Sequence, residues 1–595
     1  MTETPGWLWA ASALLVMVFL WQGLAFMRAN SQTSDEAVHL AAGYSYLARG
    51  DFRLNPEHPP LIKELAALAV YLRFGISFQP DERLWRAAEE WRIGKDFLYR
   101  SPVSWESILL AGRIPNLILG ALLLCLVGWW SFRLWGEGAA LLSMALAAFD
   151  PNLLANASLI TTDLGAALFS FLTLYLLWEH AVSPSWPWLC GAGIAMGLAL
   201  CSKFSCIVLL PLVTVVILGY VLVCGGGFSM PVAGAASRGR GETASGARTW
   251  RALACIGFLL VLSVLTIPAV YFFQGFSPWW NGLVRVLAHQ EGGHLAFFLG
   301  EYSTQGWWSY FPVAFLIKTP AGTLLLLAAS LFFWRAGVPL GRKDALFLMA
   351  PVAILFLAAA RGHINIGLRH ILPVYPLLFV TASRLASVRF RSLVLRVVVV
   401  GAPAVLTAVS SLWIAPHQLA YFNELVGGPR HGLRYLSDSN IDWGQDLKGL
   451  KTFMDERNLP MVYLSYFGNA PPEALGIRYQ YAPAFGHLEP PSRDVMPASM
   501  RPQILAISVC SLQGVHLRER DLYAWLGNRA PIGSIGYSLY LYDLTYDAAG
   551  HLELAKTYLR TGLKNWALPE LQRVLAMDPS NAEASRLRAT LEPAS

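Results

Sequence analysis

The sequence predicts a mainly α, polytopic membrane helix bundle that carries a small α/β domain and a short helical repeat at its C-terminal end. Three observations predict it. Hydrophobic residues make up 55% of the 595 and charged residues only 14%, against roughly 25% charged in soluble domains. The apolar residues gather in runs of about 17 or more, enough to cross a bilayer. After Pro416 those runs stop and short alternating segments begin.

Eleven runs read as spans: 7–27, 107–131, 138–156, 163–180, 187–202, 204–223, 252–273, 317–334, 344–360, 370–386 and 396–415. The first is long enough to span, and Arg28 and Asn30 do not form a small-residue cleavage site, so it reads as a span and not a signal peptide. Arg238, Arg240, Arg248 and Arg251 share one loop, Arg335, Arg342 and Lys343 another, and Arg389, Arg391 and Arg396 a third. Lys and Arg mark cytoplasmic loops. The N-terminus is then cytoplasmic, while the loop after the first span and everything after Pro416 face outside. The net charge of +7 belongs to these short loops, which argues for topology and against nucleic acid. Loop 225–250 is rich in Gly, Ser and Arg and reads as a flexible linker.

Chemistry concentrates in the first outer loop, 28–106. Asp35 and Glu36 stand where a membrane helix meets water, and Glu57, His58, Pro59, Pro60 and Lys63 follow in the same loop. Carboxylates are costly beside lipid, so an acidic pair there is a functional candidate; Ser34-Asp35-Glu36 is also a helix-start signal. Asp163 opens a later apolar helix behind Thr161 and Thr162, as an N-cap or as a further reacting acid. Asp150 precedes a proline, a plain turn signal.

Asp35-Glu36 with His39, Gly43-Tyr44, Gly50, Phe52 and the His58-Pro59-Pro60-Leu61 string with Lys63 together resemble the start of the protein O-mannosyltransferases and their bacterial relatives in the C-type glycosyltransferase superfamily. The resemblance implies a large first extracytoplasmic loop, a sugar donor carried on a polyprenyl phosphate, and the acidic pair at the reaction centre. It adds weight to Asp163 as a third acid. It also implies a phosphate-binding role for Lys203, which closes a small-residue segment, for Arg113, and for Arg361, Arg369 and His370 in the string Arg361 to Pro376. Two Arg and two His within ten residues on the outer side run against the positive-inside trend, and such donors suit a phosphate. Lys203 at a helix end is equally placed to snorkel.

A polyprenyl-phosphate sugar already carries a good leaving group whose growing charge needs preorganised cations. The acceptor hydroxyl needs a carboxylate base, and one base suffices for single displacement with inversion. Glu57 and His58 are candidate ligands of a divalent metal ion if a third comes from elsewhere, or His58 orients its loop. Of the seven cysteines, only Cys510 lies in the polar tail, so no disulfide framework is available there. The sequence contains no P-loop and no GxGxxG between a strand and a helix.

The organisation expected is a transmembrane transferase domain over 1–415, an extracytoplasmic α/β domain over 416–547 and a single tetratricopeptide-like repeat over 548–595. Strands are expected at 461–467, 503–509 and 538–542, where β-branched and aromatic residues cluster. Asp438, Asp442 and Asp446 share a face if helical, but lack the ligand order of an EF-hand. With Pro579 as closing proline, Leu554, Tyr558, Gly562 and Ala567 fall on repeat positions, whereas His551, Ala555 and Val574 depart from them. One repeat cannot bury a solenoid core, so it either caps the α/β domain or docks a protein partner.

The expected protein is a multi-pass enzyme of the cell inner membrane that moves a sugar from a lipid-phosphate donor to an acceptor on a protein, glycan or lipid. Two other classes compete. A transporter or flippase of lipid-linked sugars would place ionisable groups at the bilayer midplane, whereas these cluster at one face. A non-catalytic glycan-binding membrane protein would not need paired acids and cations.

Overall fold

The computed structural model describes residues 6–231, 245–485 and 492–591. Arg238 and Arg240 lie outside the described residues. The chain forms two compact units: Met1–Met27, Asp35–His294 and Thr304–Gly427 make the first, and Arg28–Ser34, Leu295–Ser303 and Gly428–Ser595 the second.

The first unit is helical. Among the described residues, seven helices are long and apolar enough to cross a membrane: Gly6–Ala29, Trp105–Trp135, Asp163–Val182, Phe204–Val223, Arg248–Val270, Arg342–Ala360 and Leu393–Ile414. Two bent pairs raise the number to nine. Glu137–Ala148 and Pro151–Ala157 meet at 66°, and Tyr310–Lys318 and Ala321–Phe332 at 110°. The first bend has a local cause, since Pro151 opens the second helix and the Asp150 carboxylate accepts the Leu153 N–H at 2.8 Å as its N-cap. At the second, Thr319 is extended ahead of Pro320, as a residue before proline prefers. Of the eleven runs read as spans, 187–202 is the 17-residue helix Trp186–Ser202. The run 370–386 divides into a 3₁₀ turn at Leu368–Ile371, a helix at Val374–Ser383 and a second turn at Arg384–Ser387. Ten helical residues cover only about 15 Å, half of a bilayer core. The protein is a multi-pass membrane protein.

Four helices fill the first loop: Glu36–Arg49, Leu61–Phe74, Glu82–Arg86 and Glu90–Tyr99. They close over their own apolar core, in which Tyr44, Phe78 and Phe97 are mutual ring neighbours. The first two helices cross tightly at Gly43. A Cβ there would lie 2.1 Å from the Lys63 carbonyl oxygen, so only glycine permits the approach. That crossing ties the middle of one helix to the Lys63 end of the other.

The second unit is α/β. A hairpin pairs β1 (Ala296–Phe298) with β2 (Glu301–Ser303). A five-stranded sheet follows, made of β3 (Val462–Ser465), β4 (Tyr479–Tyr481), β5 (Ile504–Ser508), β6 (Gly533–Ile535) and β7 (Leu539–Asp543), in the order β4-β3-β5-β7-β6. β3 runs parallel to both β4 and β5, whereas β7 is antiparallel to β5 and β6. The three strands expected from the sequence are β3, β5 and β7; β4 and β6 are three-residue strands that its pattern does not reveal.

The three aspartates near 440 do not share a helical face. Asp438 has φ +53° and Gly444 φ +85°, which break the stretch into turns before the helix Leu447–Glu456. Asp442 accepts the Cys510 N–H at 3.2 Å and Asp446 accepts the Ser538 hydroxyl at 2.6 Å, so they brace the fold in different directions.

The C-terminal helices Ala548–Arg560 and Lys564–Met577 pack within this unit around Glu570, a fully buried carboxylate. Glu570 pairs with His551 (2.6 Å) and Arg573 (2.5 Å) and accepts from Tyr463 of β3 (3.2 Å) and Gln480 of β4 (3.1 Å). His551, which departs from the repeat pattern, is thus committed to this network.

Candidate active site

Helix ends position the candidate groups. Asp35 stands at the N-cap of Glu36–Arg49, yet its side chain makes no capping bond, so the carboxylate is available elsewhere. Asp163 opens the helix Asp163–Val182. Lys203 ends the helix Trp186–Ser202 in an extended conformation, and Arg369 sits in the 3₁₀ turn after Gly367.

These four meet. Arg369 Nη1 lies 3.5 Å from Asp35 Oδ2 and 3.8 Å from Asp163 Oδ2, while Lys203 Nζ forms an ion pair with Asp163 Oδ1. Asp163 is almost fully enclosed at 1% side-chain exposure, whereas Asp35 keeps 23% and both cations 13%. Asp163 therefore reads as the internal counter-charge that orients the cations, and Asp35 as the carboxylate that solvent or an acceptor can reach.

Glu36 and Arg113 form a different arrangement. Both side chains are fully buried, and the guanidinium meets the carboxylate through two bonds, Nε to Oε1 at 2.8 Å and Nη2 to Oε2 at 2.6 Å. The Ile160 N–H also donates to Glu36 at 3.0 Å, and Arg113 donates to the Met27 carbonyl at 3.0 Å. A bidentate, closed pair has no face to offer a substrate. This corrects the expectation of Glu36 as a reacting acid and Arg113 as a phosphate ligand: the pair fixes where the Asp35 helix begins against the loop that leads to Asp163. Asn116 Nδ2 supports that loop by donating to the carbonyls of Leu159 (2.5 Å) and Thr161 (2.9 Å).

Lys63 is also enclosed. Its ammonium donates to Tyr46 Oη at 2.7 Å and to the carbonyls of Asn55 at 2.8 Å and His58 at 2.7 Å. Burial lowers it to about 7. It holds the turn that presents Glu57 and His58, so its contribution is to position that turn and not to contact a ligand. Glu90 braces the same turn from the far side, accepting the Asn55 N–H at 2.7 Å, a role that no local pattern reveals.

Glu57 is exposed. The His58 ring stands edge-on to His39 with centroids 4.9 Å apart. His39 Nδ1 donates to the Ile160 carbonyl at 2.7 Å, which leaves its Nε2 as the acceptor of a neutral ring. Desolvation lowers both histidines; His39 and the cations Lys63, Lys203 and Arg369 lower His58 further. Both rings are thus neutral near pH 7. His39 belongs to the motif in the sequence, but its contact with His58 comes only from the fold. Among the described residues no group of three or more His, Cys, Asp or Glu side chains is placed to hold a metal ion, so Glu57 and His58 gain no third donor among them. Arg361 caps the helix Arg342–Ala360 and is exposed, with no ion pair among the described residues; the structure does not bring it to the Asp35–Arg369 group. His370 follows Arg369 in the same turn, half-buried, with its ring centroid 6.2 Å from that of Phe311.

Residues 10–276 match the family model described as dolichyl-phosphate-mannose-protein mannosyltransferase. The matched stretch, just under half of the chain, includes Asp35, Asp163 and Lys203, and ends before Arg369. The protein is accordingly a membrane glycosyltransferase whose sugar comes from a lipid-phosphate-linked donor.

Solved structures with a similar course include ArnT from Cupriavidus metallidurans bound to undecaprenyl phosphate, at 14% identity and a TM-score of 0.48, over 90% of this chain and 98% of that one. The apo oligosaccharyltransferase of Archaeoglobus fulgidus matches at 10% identity and a TM-score of 0.42, over 68% of this chain and 56% of that one. The Pmt1-Pmt2 complex of S. cerevisiae, bound to its sugar donor, matches at 17% identity and 0.28, over 48% and 35%. A search of curated proteins finds no match.

Proposed function

We propose that the protein transfers a sugar from a polyprenyl phosphate to an acceptor hydroxyl, with inversion, at the outer face of the cell inner membrane. The observation that carries this reading is the meeting of Asp35, Arg369, Asp163 and Lys203. Asp35 is the base. As the acceptor O–H approaches the anomeric carbon, the carboxylate takes its proton; the new C–O bond forms while the bond to the donor phosphate breaks. The charge left on the polyprenyl phosphate is met by Arg369 and Lys203, already oriented by Asp163, so little reorganisation accompanies the step. A neutral His58 at the edge of the group is a further donor to the phosphate. Arg361 and His370 remain proposed contacts for the donor as it enters.

Purified protein in proteoliposomes, given a radiolabelled polyprenyl-phosphate sugar and extracts holding proteins, glycans and lipids, should release polyprenyl phosphate and label an acceptor. Movement of intact donor across the bilayer without cleavage would replace this reading with transport. Binding without either would make the protein a lectin-like receptor.

The cation pair gives a second expectation. Arg369→Met and Lys203→Met should each weaken donor binding and lower kcat/KM by about 100-fold, the usual loss when one preorganised donor to a developing anion is removed. Wild-type efficiency at low donor concentration in both variants would show that the phosphate is held elsewhere.

Sidedness is tested separately. Cysteines at the exposed positions Ser77, His363 and Ser580 should react with an impermeant thiol reagent in intact cells, and one at Val338 only after permeabilisation. This follows from the Arg-rich loops on the opposite side. Labelling of Val338→Cys in intact cells, with His363→Cys protected until lysis, would invert the assignment.

A further inference from the structure

The helix Ser277–Gly292 follows the span Arg248–Val270 after a short turn and shows three distinct faces. Trp279, Gly282 and Leu283 are buried against the first unit. Phe276, Trp280, Val284 and Leu287 form an exposed apolar stripe at successive helical turns, at 36%, 52%, 48% and 47% exposure. Ser277, Asn281, Arg285 and His289 form an exposed polar stripe beside it. A helix buried in protein lacks the exposed polar stripe, and one surrounded by water has no use for the exposed apolar one. A boundary between lipid and water calls for all three faces.

The apolar stripe is continuous with a membrane-facing surface. It is preceded by Phe273 (83% exposed) and Phe272 in the turn, and by Val261, Val264 and Leu265 on the span itself, all exposed. The stripe thus prolongs the exposed apolar surface of a helix long and apolar enough to cross a membrane.

We propose that Ser277–Gly292 lies in the membrane surface, with Phe276, Trp280, Val284 and Leu287 among the acyl chains and Asn281 and Arg285 in water. The buried face gives this placement a purpose. A Cβ on Gly282 would lie 2.3 Å from the Pro56 carbonyl oxygen and 2.7 Å from the Phe204 ring, so the helix backbone rests directly on the turn before Glu57 and His58 and on the neighbour of Lys203. Trp279 Nε1 donates to the Leu200 carbonyl at 3.0 Å, fixing the same helix to the segment that ends at Lys203. The bilayer surface thus sets the height of the His58 turn and of Lys203. The inference rests on the spans and the exposed stripes, independently of which reaction the site performs.

Site-directed spin labelling of the full chain in phosphatidylethanolamine–phosphatidylglycerol proteoliposomes tests it. Cysteines are placed singly at Trp280, Asn281, Val284, Arg285 and Leu287, with Cys125, Cys190 and Cys224 changed to serine to remove the accessible native thiols. The ratio of collision with oxygen to collision with a water-soluble nickel chelate should be several-fold higher at 280, 284 and 287 than at 281 and 285. Equal access of the nickel chelate to both stripes would overturn the proposal. So would immobile labels at 280, 284 and 287 shielded from both reagents, because a protein surface would then be the cover.

Discussion

Asp35→Asn should leave the folded protein and its donor affinity nearly intact while lowering turnover by about 100-fold or more, the usual loss for a general base. The amide keeps the size of the carboxylate and accepts no proton from the acceptor. The structure strengthens the choice of Asp35 over its neighbour: of the two acids, Asp35 has exposed surface and a cation at 3.5 Å, while Glu36 is closed in its pair with Arg113. Initial rates with saturating labelled donor, alongside donor titrations, give the measurement. Turnover near that of the unaltered protein would remove Asp35 from the reaction.

Arg113→Met, in the span Trp105–Trp135 that follows the first loop, should strongly destabilise the fold. It strands the Glu36 carboxylate in a fully buried position, at a cost of about 3–5 kcal/mol, the range for breaking a buried ion pair by removing one partner. The double variant Arg113→Met with Glu36→Gln should recover much of that loss, since no uncompensated charge remains. Thermal unfolding in detergent, followed by intrinsic fluorescence, compares the three proteins. An Arg113→Met midpoint equal to that of the unaltered protein would show that the pair contributes nothing to the fold. An unfolding midpoint restored in the double variant, with turnover still present, would further separate support from chemistry.

Much of the site is written in local sequence, and the rest depends on burial. Asp35, Asp163, Lys203 and Arg369 each stand at a helix end beside an apolar run, which is a pattern visible in the chain, and the fold gathers them. Glu36, Arg113 and Lys63 carry the same motif signal, yet their surroundings come from residues distant in sequence: Glu36 meets Arg113 and Ile160, and Lys63 is enclosed by Tyr46 and the Asn55–His58 turn. No spacing rule separates a buried cation from an open one. Composition reveals the membrane class because long apolar runs are unambiguous, but a run does not show where prolines bend it, as at Pro151 and Pro320. The aspartates near 440 mislead for the opposite reason: a four-residue spacing implies a shared face only while the backbone is helical, and the positive φ at Asp438 ends that. The helix Ser277–Gly292 escapes notice because its apolar residues serve two faces and blur the period.

The Glu570 network bears on how this protein can be shortened. A chain ending at residue 547 would lose the carboxylate to which Tyr463 and Gln480 donate, leaving two polar side chains inside the sheet without it, each costing about 1–3 kcal/mol. The sheet itself would then be the casualty of trimming its neighbour. The last helices are accordingly a keystone of the α/β unit, and a stable truncation would have to re-cover Tyr463 and Gln480 with apolar residues.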